Sequence, residues 1–522
     1  MLMRDKIILM SNRIDLSSID GHWADAVADM LIEKHPEGII TCAAGISPSG
    51  AIHFGNFREN ATCQMVVKAL GAKGREARLV MSFDDYDRFR KVPKNLDESY
   101  KEHIGKPLSL VPDINGTYSS YAERYEAQFV KEMNALGIEM EFKYQTEMYK
   151  SGVYDEYIQH ALENRENIAK ILLDNMSDIG KEQKGIVDEE YIQNYYPLSI
   201  YSPYSGKDAT EVLEYHGGLE VTYRCKITDT TERVDLSKQR IAKLPWKVDW
   251  PMRWQYENVH FEPGGVDHAS EGSSYTVGEQ IVSEIFGGEA PLFVSYGMVG
   301  IAGQGGKMSG SKGNSLTPGQ LLDIYEKEMV MWIYGRKKPS AQFSLAFDSE
   351  IYRQYDEYDK ERGINALSFR QTVGLGQAVD FNQEKFKTLL ELMEMDIDIE
   401  RSAERLPLAK NWLEIYNREN MFELRSAPNA EYFNELPEYR QENLRKLRAE
   451  LISDEPLGLK DLEALSYAVA KNPEHDEKEM KKAQREFFKD VYNMLISQDK
   501  GPRLGTFLWA LDTGTVIELL HV

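Results

Sequence analysis

Two stretches of this chain hold residue types that can act on phosphate. The first, residues 44–58, reads A-G-I-S-P-S-G-A-I-H-F-G-N-F-R and sets an imidazole, His53, between a tight Gly/Pro turn and a helical run. A short apolar strand precedes the turn, and the order strand, turn, helix points backbone N–H groups and a positive dipole end at an anion. No Gly-Lys-Ser/Thr follows, so this is not a P-loop, and the glycines do not make the dinucleotide fingerprint. Gly55 leaves room for a nucleotide to lie flat against the backbone. The second stretch is the Gly-rich loop 303–306 running into Lys307-Met308-Ser309-Gly310-Ser311-Lys312. Either stretch alone is a weak signal, since a histidine at a helix start is usually a cap or a surface residue. Together they suit one reaction. An ionised carboxylic acid attacking the α-phosphorus of ATP needs no general base; it needs in-line positioning and stabilisation of the developing charge. An imidazole and lysines closing on the triphosphate from two sides meet that need, with Mg2+ bound to ATP more than to the protein.

The elements that must position these groups read as α/β. Residues 23–34 have the apolar spacing of an amphipathic helix. A strand at 38–42, the His53 turn and the helix ending near Lys73 make a first β-α unit. A second strand at 76–83 ends in Asp84-Asp85, carboxylates at the end of a parallel strand where such sheets bind ligands. From about residue 93 to 243 the character changes to helices (118–136, 154–176) and then hairpins over 205–234, with Gly217-Gly218 as a turn. This predicts an insertion that splits the α/β domain. Beyond it, three of the chain's seven tryptophans, Trp246, Trp250 and Trp254, are interleaved with Lys247, Asp249 and Arg253, a pattern that suits a pocket wall. Asp267-His268 after a Gly turn, a helix from about Tyr275 and a strand at 291–296 ending in Tyr296 follow. After Pro318 the chain reads as helices, among them 384–395, 409–417, 439–451 and 477–495, without a fixed-period repeat. The apolar segment 501–509 is expected to dock onto them. The expected domains are 1–100 and 244–340 as two halves of a catalytic domain, 101–243 as the insertion, and 341–522 as a helical domain.

Bulk properties narrow the class. The 522 residues allow several domains with their own cores, and no apolar run approaches the roughly 18 residues of a membrane span. The start lacks a signal-peptide h-region. The three cysteines, Cys42, Cys63 and Cys225, lie far apart, which argues against a disulfide framework or a cysteine-only zinc site and for a reducing cytoplasm. A net charge of −23 disfavours sequence-blind binding of polyanions, so any RNA contact needs a local basic face. Arg336-Lys337-Lys338 and the run 440–448 are the candidates.

The motifs carry a resemblance. S-P-S-G-A-I-H-F-G-N resembles the H-I-G-H signature of class I aminoacyl-tRNA synthetases, and K-M-S-G-S-K resembles their K-M-S-K-S loop. The P-S-G turn is similar to that of the glutamyl/glutaminyl branch. Within it, A-G-I-S-P-S-G, W-K-V-D-W-P-M-R-W and G-K-M-S-G-S-K-G-N resemble the class I lysyl-tRNA synthetases over most of the catalytic region and, more loosely, the helical C-terminus. The resemblance implies a Rossmann-type catalytic domain, an insertion near the acceptor stem and a helical anticodon-binding domain. It implies that lysine and ATP give lysyl-adenylate and pyrophosphate, followed by transfer to the terminal ribose of tRNA(Lys).

Carried onto this sequence, it places His53 and Asn56 on the phosphates or ribose of ATP, with Pro48, Gly50, Gly55, Met308, Ser309 and Ser311 along the nucleotide. Lys307 and Lys312 take the pyrophosphate side; Gly310 stands where the general motif has its second lysine, which leaves open which of the two dominates. Gly45 and Ser47 line the amino acid, and Asp84 or Asp85 pairs with its α-ammonium. Trp250 or Trp254, Tyr296 and His268 wall a channel ending at Asp249 or Asp267. Some relatives carry paired cysteines in the insertion; only Cys225 is here, so no zinc is expected. The expected partners are tRNA(Lys), L-lysine and ATP, without a membrane, for a cytoplasmic monomer. Three rivals stand beside this reading. A glutamate-specific relative would set an arginine, for which Arg253 is placed, against the substrate carboxylate. A nucleotidyltransferase without tRNA would leave the helices after Lys338 unexplained. An inactive paralogue is at odds with intact His53, Lys307 and Lys312.

Overall fold

The computed structural model describes residues 12–17, 19–94, 96–270, 272–302, 316–453, 456–471 and 476–522. The chain divides into two compact units, Met1–Leu321 with Lys327–Leu345, and Leu322–Glu326 with Ala346–Val522.

The first unit is α/β. Strand β1 (Ile40–Ile46) is buried from Ile40 through Ala44, as a strand inside a parallel sheet covered on both faces must be. After the His53 turn comes α2 (Phe57–Ala72), preceded in the chain by α1 (Trp23–Lys34). Gly74, at φ +74°, turns the chain into β2 (Ala77–Phe83), which pairs in parallel with β1 from Ile40↔Ala77 to Ile46↔Phe83. Helix α3 (Tyr121–Ala135) starts at Ser120, whose hydroxyl accepts the Glu123 N–H at 3.1 Å. It leads to β3 (Glu141–Tyr144), again parallel to β2. On the far side of β1 the sheet is continued by parallel bridges Cys42↔Phe261, Phe261↔Leu292 and Arg13↔Phe293. The residues that leave the carboxyl ends of these strands, 47, 84–85, 262–268 and 296, therefore gather along one edge.

One boundary differs from the sequence reading. The insertion was expected from residue 101, yet β3 at 141–144 belongs to the parallel sheet. Four residues, Glu-Phe-Lys-Tyr, with two charges are too short and polar to announce a strand. Further along, β4 (Thr210–Gly217), β5 (Glu220–Cys225) and β6 (Thr230–Asp235) form an antiparallel sheet. Its first turn uses Gly217 and Gly218 at φ +95° and +59°, the left-handed pair of a tight hairpin. Val221, Tyr223 and Cys225 pack into one core with Tyr149, Leu162, Val248 and Ile281, so the inserted region shares its interior with the α/β part. Helix α4 (Trp246–Glu257) puts Trp246, Trp250 and Trp254 on one face by their spacing of four. It packs on α5 (Ser274–Glu284), where a Cβ at Gly278 would stand 2.7 Å from the Trp254 ring. Helix α6 (Lys327–Gly335), buried from Met329 to Gly335, closes the unit against α2.

The second unit is helical. Its core collects Phe386, Leu389, Leu444, Leu447, Phe487, Val491 and Leu495 among others. Four of its helices matter below: α7 (Glu438–Leu451), α8 (Leu459–Ala468), α9 (Glu477–Ile496) and α10 (Leu504–Ala510). Phe507 and Leu508 of α10 are buried in this core, so the C-terminal segment docks as its composition predicts. Arg405, fully buried, donates to Glu326 at 2.7 Å, to the Leu367 carbonyl at 3.2 Å and to Asp359.

Candidate active site

The His53 turn is held from both sides. The Ser49 carbonyl accepts the Tyr121 hydroxyl at 3.0 Å, and the His53 carbonyl accepts the N–H groups of Asn56 (2.9 Å) and Phe57 (3.2 Å). Arg58 and Glu59 donate in turn to Gly55 (3.4 Å) and Asn56 (3.2 Å). The first-turn amides of α2, expected to face an anion, are thus engaged within the turn, and the side chains of His53 and Asn56 are what the helix start offers a phosphate. The Asn56 N–H also lies 3.2 Å from His53 Nδ1; with that nitrogen accepting, the neutral ring carries its hydrogen on Nε2. The Asn56 side chain makes no capping bond. Pro48 is buried, while Gly50 and Gly55 are half-buried beside them.

Lys307, Met308, Ser309, Ser311 and Lys312 lie outside the described residues. The chain after them is tied to the same turn. Phe54 N–H donates to the Leu316 carbonyl at 2.8 Å, and the Tyr334 hydroxyl donates to the Phe54 carbonyl at 2.7 Å. Arg58, buried, donates to the carbonyls of Tyr334, Lys338 and Pro339, each at 3.0 Å. Burial holds its guanidinium down at about 10.

Three carboxyls along the sheet edge are raised by burial. Glu59 on α2 accepts the Gly45 N–H at 2.8 Å and the Tyr296 hydroxyl at 2.7 Å, and desolvation pushes it up to about 8 despite both bonds. It has no cationic partner among the described residues. Glu262 accepts Trp254 Nε1 at 2.6 Å and is pushed up to about 7 by the same cause. Asp85 rises to about 6, desolvation outweighing the Thr146 N–H that reaches it at 2.8 Å. Neither Glu59 nor Glu262 was singled out from the sequence. An acid on a helix reads as a solvated face, and the one local sign was Glu262 interrupting an apolar run.

The other acids are occupied. Arg253, buried, donates to Asp84 and Ser82 at 2.8 Å each and to Asp249 at 2.7 Å. Asp249, fully buried, also receives the Tyr149 hydroxyl. Arg253 is therefore committed to carboxylates of its own chain; each oxygen of Asp249 already holds a donor, whereas Asp84 receives Arg253 on Oδ1 alone. Asp267 is exposed, and Ser47 is half-buried at the end of β1. Trp246 stacks on Trp250 at 5.0 Å and 16°, Trp254 meets Trp250 at 4.8 Å tilted by 55°, and the His268 ring lies 5.7 Å from Trp250. Trp254 belongs to the core with Tyr275 and Phe293. Trp250 is buried too, and its indole bears on the Glu262 carboxyl, although its Nε1 makes no hydrogen bond of normal geometry among the described residues. The structure thus brings Gly45, Tyr296 and the unforeseen Glu59 into direct contact. Among the described residues no group of three His, Cys, Asp or Glu is arranged to hold a metal, and no helix is long and apolar enough to cross a membrane.

Residues 21–419 match the family described as tRNA synthetases class I (K). A lysine–tRNA ligase of Pyrococcus horikoshii is 35% identical, covering 96% of this chain and 99% of its own length. One from Streptomyces coelicolor is 35% identical over 95% of this chain and 98% of its own. Among solved structures, a glutamate tRNA ligase from Elizabethkingia meningosepticum aligns over 92% of this chain and 98% of that one, at 11% identity and a TM-score of 0.47.

Proposed function

Because the chain belongs to the lysyl family of class I tRNA synthetases, we propose the following division of labour for a reaction that joins lysine to tRNA at the expense of ATP. The lysine carboxylate attacks the α-phosphorus, the bond to the bridging oxygen breaks, and pyrophosphate leaves. A ribose hydroxyl at the end of tRNA(Lys) then attacks the acyl carbon, giving up its proton as AMP departs. His53 donates from Nε2 to the phosphates, with Asn56 beside it, and Lys307 and Lys312 neutralise the pyrophosphate. Mg2+ enters with the triphosphate.

One observation carries the amino-acid assignment: a desolvated carboxylate, Glu59, fixed by Gly45 and Tyr296 and lacking a cation among the described residues. A buried carboxyl so held is complementary to an ammonium group. Glu59 is the acceptor for the lysine side chain, in place of Asp249 or Asp267. Gly45, Ser47, Tyr296, Trp250 and His268 line the channel, and Asp84, aligned by Arg253, meets the α-ammonium. A glutamate side chain would face this carboxyl and find Arg253 already paired. The insertion takes the acceptor end and the helical unit the anticodon; a monomer in the cytoplasm belongs to the same proposal. The test is ATP–pyrophosphate exchange with each standard amino acid, with and without tRNA. Exchange with lysine alone supports the assignment; exchange with glutamate keeps the chemistry and overturns the pocket.

A further inference from the structure

Of the cations that the sequence offered to RNA, all but the exposed Lys446 are engaged within the protein. In α7, Arg440 grips the buried Asp490 through both oxygens, Arg445 pairs with Glu438 at 2.9 Å, and Arg448 donates to the Ile517 carbonyl at 3.2 Å. Lys338 donates to the carbonyls of Ser17 (2.9 Å) and Ile19 (3.3 Å), while Arg336 and Lys337 lie over the rings of Trp332 and Phe343.

A different set of charges faces a groove of the helical unit. Helices α8 and α10 approach closely: a Cβ on Gly505 would lie 2.6 Å from the Glu463 Cα. Beside this crossing, α9 and the turn 499–503 enclose a concavity of about 820 Å³. Arg485, Lys500 and Arg503 stand exposed on its wall and form no ion pair among the described residues. Lys489 is neutralised by Asp499 at 2.8 Å, leaving Glu463 as the one acid against three cations. This is a local excess of positive charge on a chain whose net charge is −23. On the same wall Tyr467 is 55% exposed and is steadied by Phe488, ring centroids 5.4 Å apart at 69°.

We propose that this groove holds the single-stranded anticodon loop of the tRNA substrate, with an unpaired base stacked on Tyr467 and backbone phosphates on Arg485, Lys500 and Arg503. The proposal rests on the reading of the helical unit given above and assigns its contact surface. Three unpaired cations around an exposed ring are the combination that single strands select, because an unpaired base has a face to stack while a duplex hides it. An acidic peptide would use the cations but leave the ring without a role.

The test uses the full chain and a fluorescently labelled anticodon stem-loop RNA of tRNA(Lys). Replacing Arg485, Lys500 or Arg503 by Ala should each weaken binding several-fold and lower the slope of log affinity against log salt by about one phosphate contact. Tyr467→Ala should weaken it roughly tenfold, while Tyr467→Phe, which keeps the ring, stays near the parent protein. All four side chains are exposed, and a melting curve for each variant checks that the fold is retained. If the parent chain binds the stem-loop and every variant binds it equally well, the groove is wrong and the anticodon reading stands. If the parent chain ignores the stem-loop while charging intact tRNA, the anticodon reading itself falls. If Tyr467→Ala is silent while the cation variants weaken binding, the surface is electrostatic only and stacking is overturned.

Discussion

At the scale of single residues, the chemistry depends on one imidazole and one buried carboxyl. His53→Ala removes a donor aimed at charge that develops in the transition state, so lysyl-adenylate formation should fall by roughly 100-fold or more, with only a small drop in melting temperature from the lost bond to the Asn56 N–H. Rapid-quench measurement of adenylate decides it. Glu59 makes a prediction about pH. Its carboxyl, held at about 8 instead of the ordinary 4.5, is mostly protonated at neutral pH in the absence of lysine. A bound ammonium needs the carboxylate, so below pH 8 binding must expel the proton. Lysine affinity should therefore rise with pH, by at most roughly tenfold per unit, and level off above about 8, before lysine itself loses charge. Calorimetry in buffers of different ionisation enthalpy should show proton release on binding that vanishes in Glu59→Gln; a flat pH profile in the parent chain would remove Glu59 from the pocket. The sequence revealed these two residues unequally. His53 was legible because its turn is a local pattern of Pro, Ser and Gly, which states its own geometry. Glu59 was not, because what makes it special is a hydroxyl arriving from Tyr296 and water excluded by the fold, and neither leaves a mark within a few residues of it.

At the scale of elements, legibility followed length and period. The helix expected over 477–495 is Glu477–Ile496, because twenty residues with an apolar stripe fix both the class and the ends. β3 was missed, since its only argument for being a strand is its neighbour β2. The tryptophan cluster shows a third case. Spacing of four identifies a helix face, but that Trp254 sinks into the core while Trp246 remains half-exposed depends on Gly278 across the interface. Arg405 gives the prediction for this scale. Its guanidinium joins Glu326, Asp359 and the Leu367 carbonyl inside the helical unit, and Arg405→Ala would leave Asp359 without its counter-charge and Glu326 with Arg401 alone. The cost should be about 3–5 kcal/mol, and Arg405→Lys should recover only part of it, having one nitrogen where the guanidinium bonds three groups. Urea titration followed by tryptophan fluorescence reads both, through the Trp412 indole, which donates to the Phe347 carbonyl at 2.8 Å.

For the whole molecule, the decisive feature is the path of the chain. It leaves the α/β unit after Leu321, gives five residues to the helical unit, returns from Lys327 to Leu345, and leaves again at Ala346. A simple truncation after Leu345 should therefore yield an aggregating protein, because Tyr325 loses the Gln354 side chain that its hydroxyl reaches at 2.5 Å and Glu326 loses Arg405. Replacing Leu322–Glu326 by a Gly-Ser linker in the truncated chain should restore solubility. That protein should retain whatever lysine-dependent exchange the full chain shows without tRNA, and lose charging; gel filtration and the two assays test it. The same path bears on how such a protein can be inherited in pieces. A helical segment spliced from another gene at a single point near residue 346 would arrive with an Arg405 and a Gln354 that must recognise the host's Glu326 and Tyr325. Recombination at one crossover would strand those partners on opposite sides of the joint, so the two halves of this gene are expected to travel, and to diverge, together.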